Sequence, residues 1–290
     1  MIPTGPFELV KERPWATVWR VPLQGGVAYA KACRPIQAFE PALTAALAGR
    51  WPDRVAEVLA FDPARAWLLT ADAGTPVGDL GNPPELWAEI LPRYAELQRG
   101  EIAHAAEHIA IGLPDLGLRA FPERFDELLA RDLPIDSVEV DAARRLRPNL
   151  VALADELAAA GIGDSVEHAD LHLRSIFRRD ERLRVLDWGD ASVAHPFFSL
   201  VVTFAFLRDI NGLAPDDPWF DRLRDAYLEP WGSGLVHAFE IAQRLGTVSR
   251  AIGWGRHHAS MGPGAFPGFD EQFPGVLRTA IHALRTTLPA

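Results

Sequence analysis

A small β-unit interrupts an otherwise helical run of sequence, and no other feature constrains the chain as tightly. His168-Ala169-Asp170-Leu171-His172 opens it and Asp187-Trp188-Gly189 closes it. Between them two short apolar runs, Ser175 to Phe177 and Leu183 to Leu186, flank the turn-forming Arg178-Arg179-Asp180-Glu181, which is the pattern of a hairpin. A tight hairpin brings its ends together. The spacing therefore predicts that Asp170 and Asp187, 17 positions apart, are neighbours. Paired carboxylates serve general acid–base chemistry or hold a divalent cation.

The flanking sequence fixes what surrounds this unit. Trp87, Ile90, Leu91, Tyr94 and Leu97 recur at helical spacing, with Pro92 predicting a kink. Leu146, Leu150, Leu153 and Leu157 form a second stripe that stops at Gly161. Pro196 to Leu207 reads as a buried helix, and further helices run to the C-terminus with breaks at Gly212 to Pro218 and Met261 to Gly268. The first 70 or so residues differ. Phe7–Val10, Thr17–Val21, Val27–Ala32, Val55–Phe61 and Ala66–Thr70 read as strands, Gln24-Gly25-Gly26 as a hairpin turn, and Phe39–Ala48 as a helix. With a Gly/Pro-marked break at Gly74 to Pro84, the chain divides into a β-rich lobe at 1–73 and a mostly helical lobe at 74–290, an α+β architecture.

Composition narrows the partners. The net charge of −10 repels phosphate backbones and anionic bilayers, so neither nucleic acid nor membrane is expected as a partner, and no obligate protein partner is evident. No apolar run reaches the roughly 18 residues of a membrane span, the N-terminus lacks a secretion signal, and Cys33 is the only cysteine. The expected location is cytoplasmic. Lys11 and Lys31 are the only lysines among 29 basic residues. A lysine inside the apolar strand Val27-Ala-Tyr-Ala-Lys31 is thus a candidate for chemistry that needs a compact ammonium rather than a planar guanidinium.

These motifs resemble the catalytic core of the kinase-like fold, and most closely that of the aminoglycoside phosphotransferase and choline kinase-like family, with its H-G-D-L-H-x-x-N and apolar-D-W segments. Here they stand as HADLHLRS at 168–175 and VLDWGDA at 185–191. The resemblance implies a two-lobed fold and transfer of the γ-phosphate of ATP, or of GTP, with Mg²⁺, to a hydroxyl of a small molecule. An aminoglycoside, an amino sugar or a similar cationic alcohol suits the net negative charge, with Asp209, Asp216, Asp217, Asp270 and Glu271 as candidate lining. By the same resemblance Asp170 orients the acceptor hydroxyl and takes its proton, and Asp187 binds Mg²⁺. Lys31 contacts the α/β-phosphates with Glu40 as its ion-pair partner. Arg13 to Val18, including Thr17, forms a glycine-free hairpin over the phosphates, and Leu68 to Ala73, with Thr70 and Asp72, forms the strand and hinge beside the base. His168 and His172 brace the loop.

One position departs from the pattern. Ser175 stands where the family has an asparagine that ligates a metal, a shorter and poorer neutral ligand. If Ser175 is a metal ligand, Ser175→Asn is expected to raise the rate. The departure also supports an alternative, a catalytically weak nucleotide-binding regulator. A third reading, a metallohydrolase built on His168, Asp170 and His172, requires further ligands, for which His257-His258 is the only other dense pair.

Overall fold

The computed structural model describes residues 2–262 and 264–285. Its N-terminal part is an antiparallel sheet of β1 (Glu8–Arg13), β2 (Ala16–Leu23), β3 (Gly26–Cys33), β4 (Val58–Asp62) and β5 (Trp67–Ala71), in the order β1-β2-β3-β5-β4. Pro14-Trp15 makes the turn from β1 to β2. Gln24-Gly25 makes the next, with Gly25 at φ +92, a conformation that costs glycine nothing. Helix α1 (Glu40–Arg50) joins β3 to β4. Strand alternation sorts the side chains. Val18, Lys31 and Leu68 form one cross-strand row, with Arg20, Tyr29 and Thr70 on the same face, and the out-of-phase residues Thr17, Ala32 and Trp67 lie on the other.

A one-residue bulge in β1 matters to this sorting. Leu9 pairs with Trp19, but Lys11 pairs with Val18 rather than with Thr17. A one-residue slip moves every following side chain to the opposite face. The bulge therefore puts Lys11 in the Val18–Lys31 row, on the side that α1 covers.

The remainder is mostly helical. A two-residue strand β6 (Thr75–Pro76) leads into α2 (Pro84–Glu101) and α3 (Ala105–Ala110). Strand β7 (Asp115–Leu116) precedes α4 (Phe121–Leu129), α5 (Ser137–Arg145) and α6 (Arg147–Ala158). Strand β8 (Ser165–Glu167) precedes the hairpin of β9 (Ile176–Arg179) and β10 (Arg182–Val185), and β11 (Ser192–Ala194) follows it. Last come α7 (Leu200–Asn211), α8 (Pro218–Leu228), α9 (Val236–Met261) and α10 (Pro267–Arg285). The hairpin turns through Asp180 and Glu181, both at positive φ, and β6 extends it to a third strand, while β8 and β7 flank β11. The two expected apolar stripes are buried, Trp87, Ile90, Leu91, Tyr94 and Leu97 on α2 and Leu150, Leu153 and Leu157 on α6. Helix α2 runs on through Pro92. None of the described helices is long and apolar enough to cross a membrane.

Several contacts tie the β-rich and helical parts together. The Val185 N–H donates to the Arg54 carbonyl at 2.8 Å, and the Arg179 guanidinium donates to the Asp72 carbonyl at 2.5 Å. At the end of α1, Arg50 and Trp51 both donate to Glu101, at the end of α2.

Candidate active site

Three charges from distant stretches of sequence meet between the two parts. Lys31 Nζ lies 2.6 Å from Glu40 Oε2 and 2.6 Å from Asp187 Oδ1. Glu40 is 1% exposed, and the Asp187 side chain 49%, so the Asp187 carboxylate keeps an open side. Burial alone would depress the Lys31 ammonium, but Asp187 and Glu40 together carry it well above its ordinary value. The Lys31 charge, with Lys11 adding to it, holds Asp187 below the usual carboxylate range against the effect of burial. Glu40 is raised by its burial, which Lys31 only partly offsets. Asp187 sits at φ +62, a left-handed conformation that is costly for a side-chain-bearing residue. It follows Leu186, whose carbonyl accepts from the His168 ring at 2.8 Å.

The loop carrying Asp170 is built from its own hydrogen bonds. His168 Nδ1 accepts from the Asp170 N–H at 3.3 Å, so Nε2 carries the proton given to Leu186. That is the neutral ring which burial also favours. His168 thereby staples the two ends of the hairpin. Ala169, at φ +62, donates its N–H to the buried carboxylate of Glu167 at 2.7 Å, and burial pushes the Glu167 carboxyl up to about 7. His172 Nδ1 accepts from the Arg174 N–H at 3.1 Å, leaving Nε2 to face Asp170 Oδ2 at 3.2 Å. On the other side of the same carboxylate, Arg250 Nη1 lies 3.6 Å from Asp170 Oδ1. Burial works against the His172 charge, but Asp170 holds it above its ordinary value.

Asp170 opens onto a cavity of about 260 Å³, at the small end for ligand sites. Trp15, carried by the turn between β1 and β2, packs edge-on against His257 of α9 and Phe266. Trp254 stacks on Phe269 at 4.1 Å. Arg250 and Arg256, both on α9, also line the cavity, and Asp170 and Asp190 are its only carboxylates among the described residues. Asp190 is already engaged, by His257 Nε2 at 2.8 Å and Gln37 Nε2 at 3.1 Å.

The sequence-predicted residues fall into two groups. The structure brings Lys31, Glu40 and Asp187 together, opens Asp170 onto the adjoining cavity, and places Thr70 on the sheet face of Lys31. The other three sit elsewhere. Thr17 pairs with Ala32, out of phase with the Val18–Lys31 pair, so strand alternation turns its hydroxyl to the opposite face. The Asp72 carboxylate accepts from the Gly74 N–H at 3.0 Å and its carbonyl from Arg179, so it closes the turn out of β5. The Ser175 hydroxyl accepts from the His172 N–H at 2.8 Å and donates toward the Asp170 and His172 carbonyls, and the residue is 1% exposed.

Ser175 is thus spent on closing the Asp170 loop, not presented as a metal ligand. This reverses the expectation for Ser175→Asn. An amide at this buried position replaces the hydroxyl that makes these bonds, so turnover should fall and the melting temperature drop. A faster enzyme of unchanged melting temperature would return residue 175 to the metal.

The acidic residues expected to line a cationic pocket do not line this cavity. Asp209, Asp216 and Glu271 are exposed, Asp217 caps α8 through the Trp219 N–H, and Asp270 accepts from the Gly264 N–H. Among the described residues no three His, Cys, Asp or Glu side chains are grouped to hold a metal ion, so the metallohydrolase reading finds no ligand set. Sequence reasoning missed Lys11, Gln37, Asp190, Arg250 and Arg256. Only Lys11 carried a signal, as one of the chain's two lysines.

No protein-family model matches the sequence, and no curated protein matches it. Solved structures do match. A choline/ethanolamine kinase family protein from Mesorhizobium loti aligns at TM-score 0.62 and 16% identity, over 97% of this chain and 93% of that one. A Plasmodium vivax ethanolamine kinase aligns at TM-score 0.67 and 13% identity, over 97% and 82%. The GDP and kanamycin complex of APH(2'')-IIia aligns at TM-score 0.64 and 14% identity, over 99% and 95%. What is shared at such identities is the fold. The chain has the two-lobed kinase-like fold of choline/ethanolamine kinases and aminoglycoside phosphotransferases.

Proposed function

We propose that the chain is a small-molecule kinase that moves the terminal phosphoryl group of ATP or GTP to a hydroxyl of a small acceptor. The observation that carries this reading is the Lys31–Glu40–Asp187 cluster between the two parts, set beside a cavity that Asp170 enters. The segment after Asp187 supports a small acceptor. Trp188, Ser192 to Ala194 and Pro196 to Ser199 are buried within a dozen residues of it, which leaves no exposed loop for docking a peptide.

The donor set suits a nucleotide-borne Mg²⁺ and not a resident metal. One half-exposed carboxylate, with no cluster of three His, Cys, Asp or Glu side chains grouped to hold a metal among the described residues, matches the way Mg²⁺ is held by one or two carboxylates and the substrate's own phosphates. Asp187 would hold the ion, which neutralises the charge that develops on the phosphate oxygens. Lys31, fixed by Glu40, and Lys11, turned to the same face by the β1 bulge, would face the phosphates as compact cations. At the other end the Asp170 carboxylate accepts the proton of the acceptor hydroxyl. The hydroxyl oxygen bonds to the terminal phosphorus as the bond to the leaving diphosphate breaks, and that electron pair stays on the diphosphate. Such a loose transition state asks mainly for positioning. His172 and Arg250 supply it by holding both oxygens of Asp170.

Melting curves with ATP or GTP, with and without Mg²⁺, test the reading. A ligand at 100 times its Kd adds about 2.7 kcal/mol, and the rise should require Mg²⁺ and vanish in Asp187→Ala. A rise indifferent to metal, without phosphate transfer, favours a nucleotide-binding regulator, the second reading that Ser175 supports. No rise with either nucleotide overturns both.

A further inference from the structure

The cavity beside Asp170 carries a charge pattern at odds with the chain as a whole. The protein is strongly acidic, yet this cavity is lined by two arginines and by two carboxylates that are both in use. Asp170 is held between His172 and Arg250, and Asp190 between His257 and Gln37. Each of the two carboxylates already faces a donor, so neither is without a partner. Arg256, by contrast, makes no hydrogen bond or ion pair among the described residues, although it is half-buried. Burial works against its charge and nearby Arg131 adds to the penalty, with Asp190 offsetting only part of it. A partly desolvated guanidinium without a partner is costly, and an incoming anion relieves the cost with charge-assisted, bidentate hydrogen bonds. Arg250 lies on the same helix, stacked over Trp254 at 5.3 Å, so the two cations and the aromatic wall border one space.

We infer that the acceptor is an anionic alcohol, a small hydroxyl compound bearing a carboxylate or phosphate group, with its anion at Arg256 and Arg250 and its apolar body against Trp254 and Phe269. The inference rests on the phosphotransferase reading above and replaces the cationic acceptor that net charge suggested. The overall charge of −10 sets the far field, whereas acceptor choice is set by the groups that touch it.

Four benzyl alcohols that differ only at the para position test it: carboxylate, phosphate ester, neutral hydroxymethyl and cationic aminomethyl. Transfer of labelled phosphate from ATP and binding by calorimetry in the presence of a non-hydrolysable ATP analogue are both read. One or both anionic members should exceed the neutral and cationic ones by about tenfold or more, and which of the two leads identifies the anion. Arg256→Met should remove that advantage by lowering the anionic members far more than the neutral one, and Arg256→Lys should restore part of it. ATP-dependent stabilisation of each variant checks that it is folded. Preference for the aminomethyl member overturns the inference, as does an anion preference that survives Arg256→Met. Failure of the wild type to bind either anionic member while ATP still stabilises it overturns the acceptor class alone. Failure of both ATP and GTP to stabilise the wild type overturns the phosphotransferase reading beneath it.

Discussion

Asp170→Asn should lower phosphoryl transfer by about 10²–10⁴-fold, the range of a lost general base, and leave Mg²⁺-dependent stabilisation by ATP unchanged. The substitution keeps the side chain's shape and one acceptor oxygen for the His172 ring, which lies 3.2 Å away. It removes the negative charge that faces Arg250 at 3.6 Å and the carboxylate proposed to take the acceptor's proton. The cluster of Lys31, Glu40 and Asp187 is held by its own contacts and should not respond. The expected signature is therefore a fall in kcat with the nucleotide Kd intact. Because Asp170 holds the His172 charge above its ordinary value, the variant should also shift any His172-dependent limb of the pH profile to lower pH. A variant within a few-fold of wild-type kcat would show that Asp170 only shapes the loop.

Much of this arrangement was legible wherever the signal is local. The hairpin of β9 and β10 follows from two short apolar runs around a turn, and its closure lets the His168 ring reach the Leu186 carbonyl. The stripes of α2 and α6 follow from helical periodicity. Lys31 was marked by scarcity and by its apolar strand. Errors came where a single backbone step reverses a side chain. Thr17 lies one residue from the Val18–Lys31 row and so faces away, and the bulge that turns Lys11 inward leaves no mark in composition. Ser175 was misjudged because its sequence position says nothing of the loop carbonyls that claim its hydroxyl. The cavity beside Asp170 was the least legible part. Trp15, Arg250, Arg256 and His257 meet Asp170 and Asp190 only through packing of α9 and the β1–β2 turn, and a count of tryptophans does not separate Trp254, which borders the cavity, from Trp87 and Trp188 in the core. Glu101 was equally hidden, as an ordinary charge at the end of a helical stripe.

Glu101 carries the largest stability effect expected. Its side chain is fully buried, and four donor groups converge on it: Arg50 through two nitrogens at 2.8 and 2.6 Å, Trp51 Nε1 at 2.7 Å and the His108 ring at 2.8 Å. Glu101→Ala strips all of them at once and leaves a buried imidazole, an indole N–H and a guanidinium without their acceptor, which should cost about 3–5 kcal/mol. Burial would raise the carboxyl, but the bonds from His108, Arg50 and Trp51 prevail and hold it at about 2. A depressed carboxyl contributes stability that is fully present above its ordinary value near 4.5 and is lost as the pH falls toward 2. Wild type should therefore lose stability across that window, and the alanine variant should lose less. The readout extends beyond melting. Arg50 closes the helix that begins at Glu40, so freeing it from α2 loosens the element that aims Lys31 at Asp187. Weaker nucleotide binding is expected in the variant at temperatures where it remains folded, and full affinity there would confine Glu101 to stability alone.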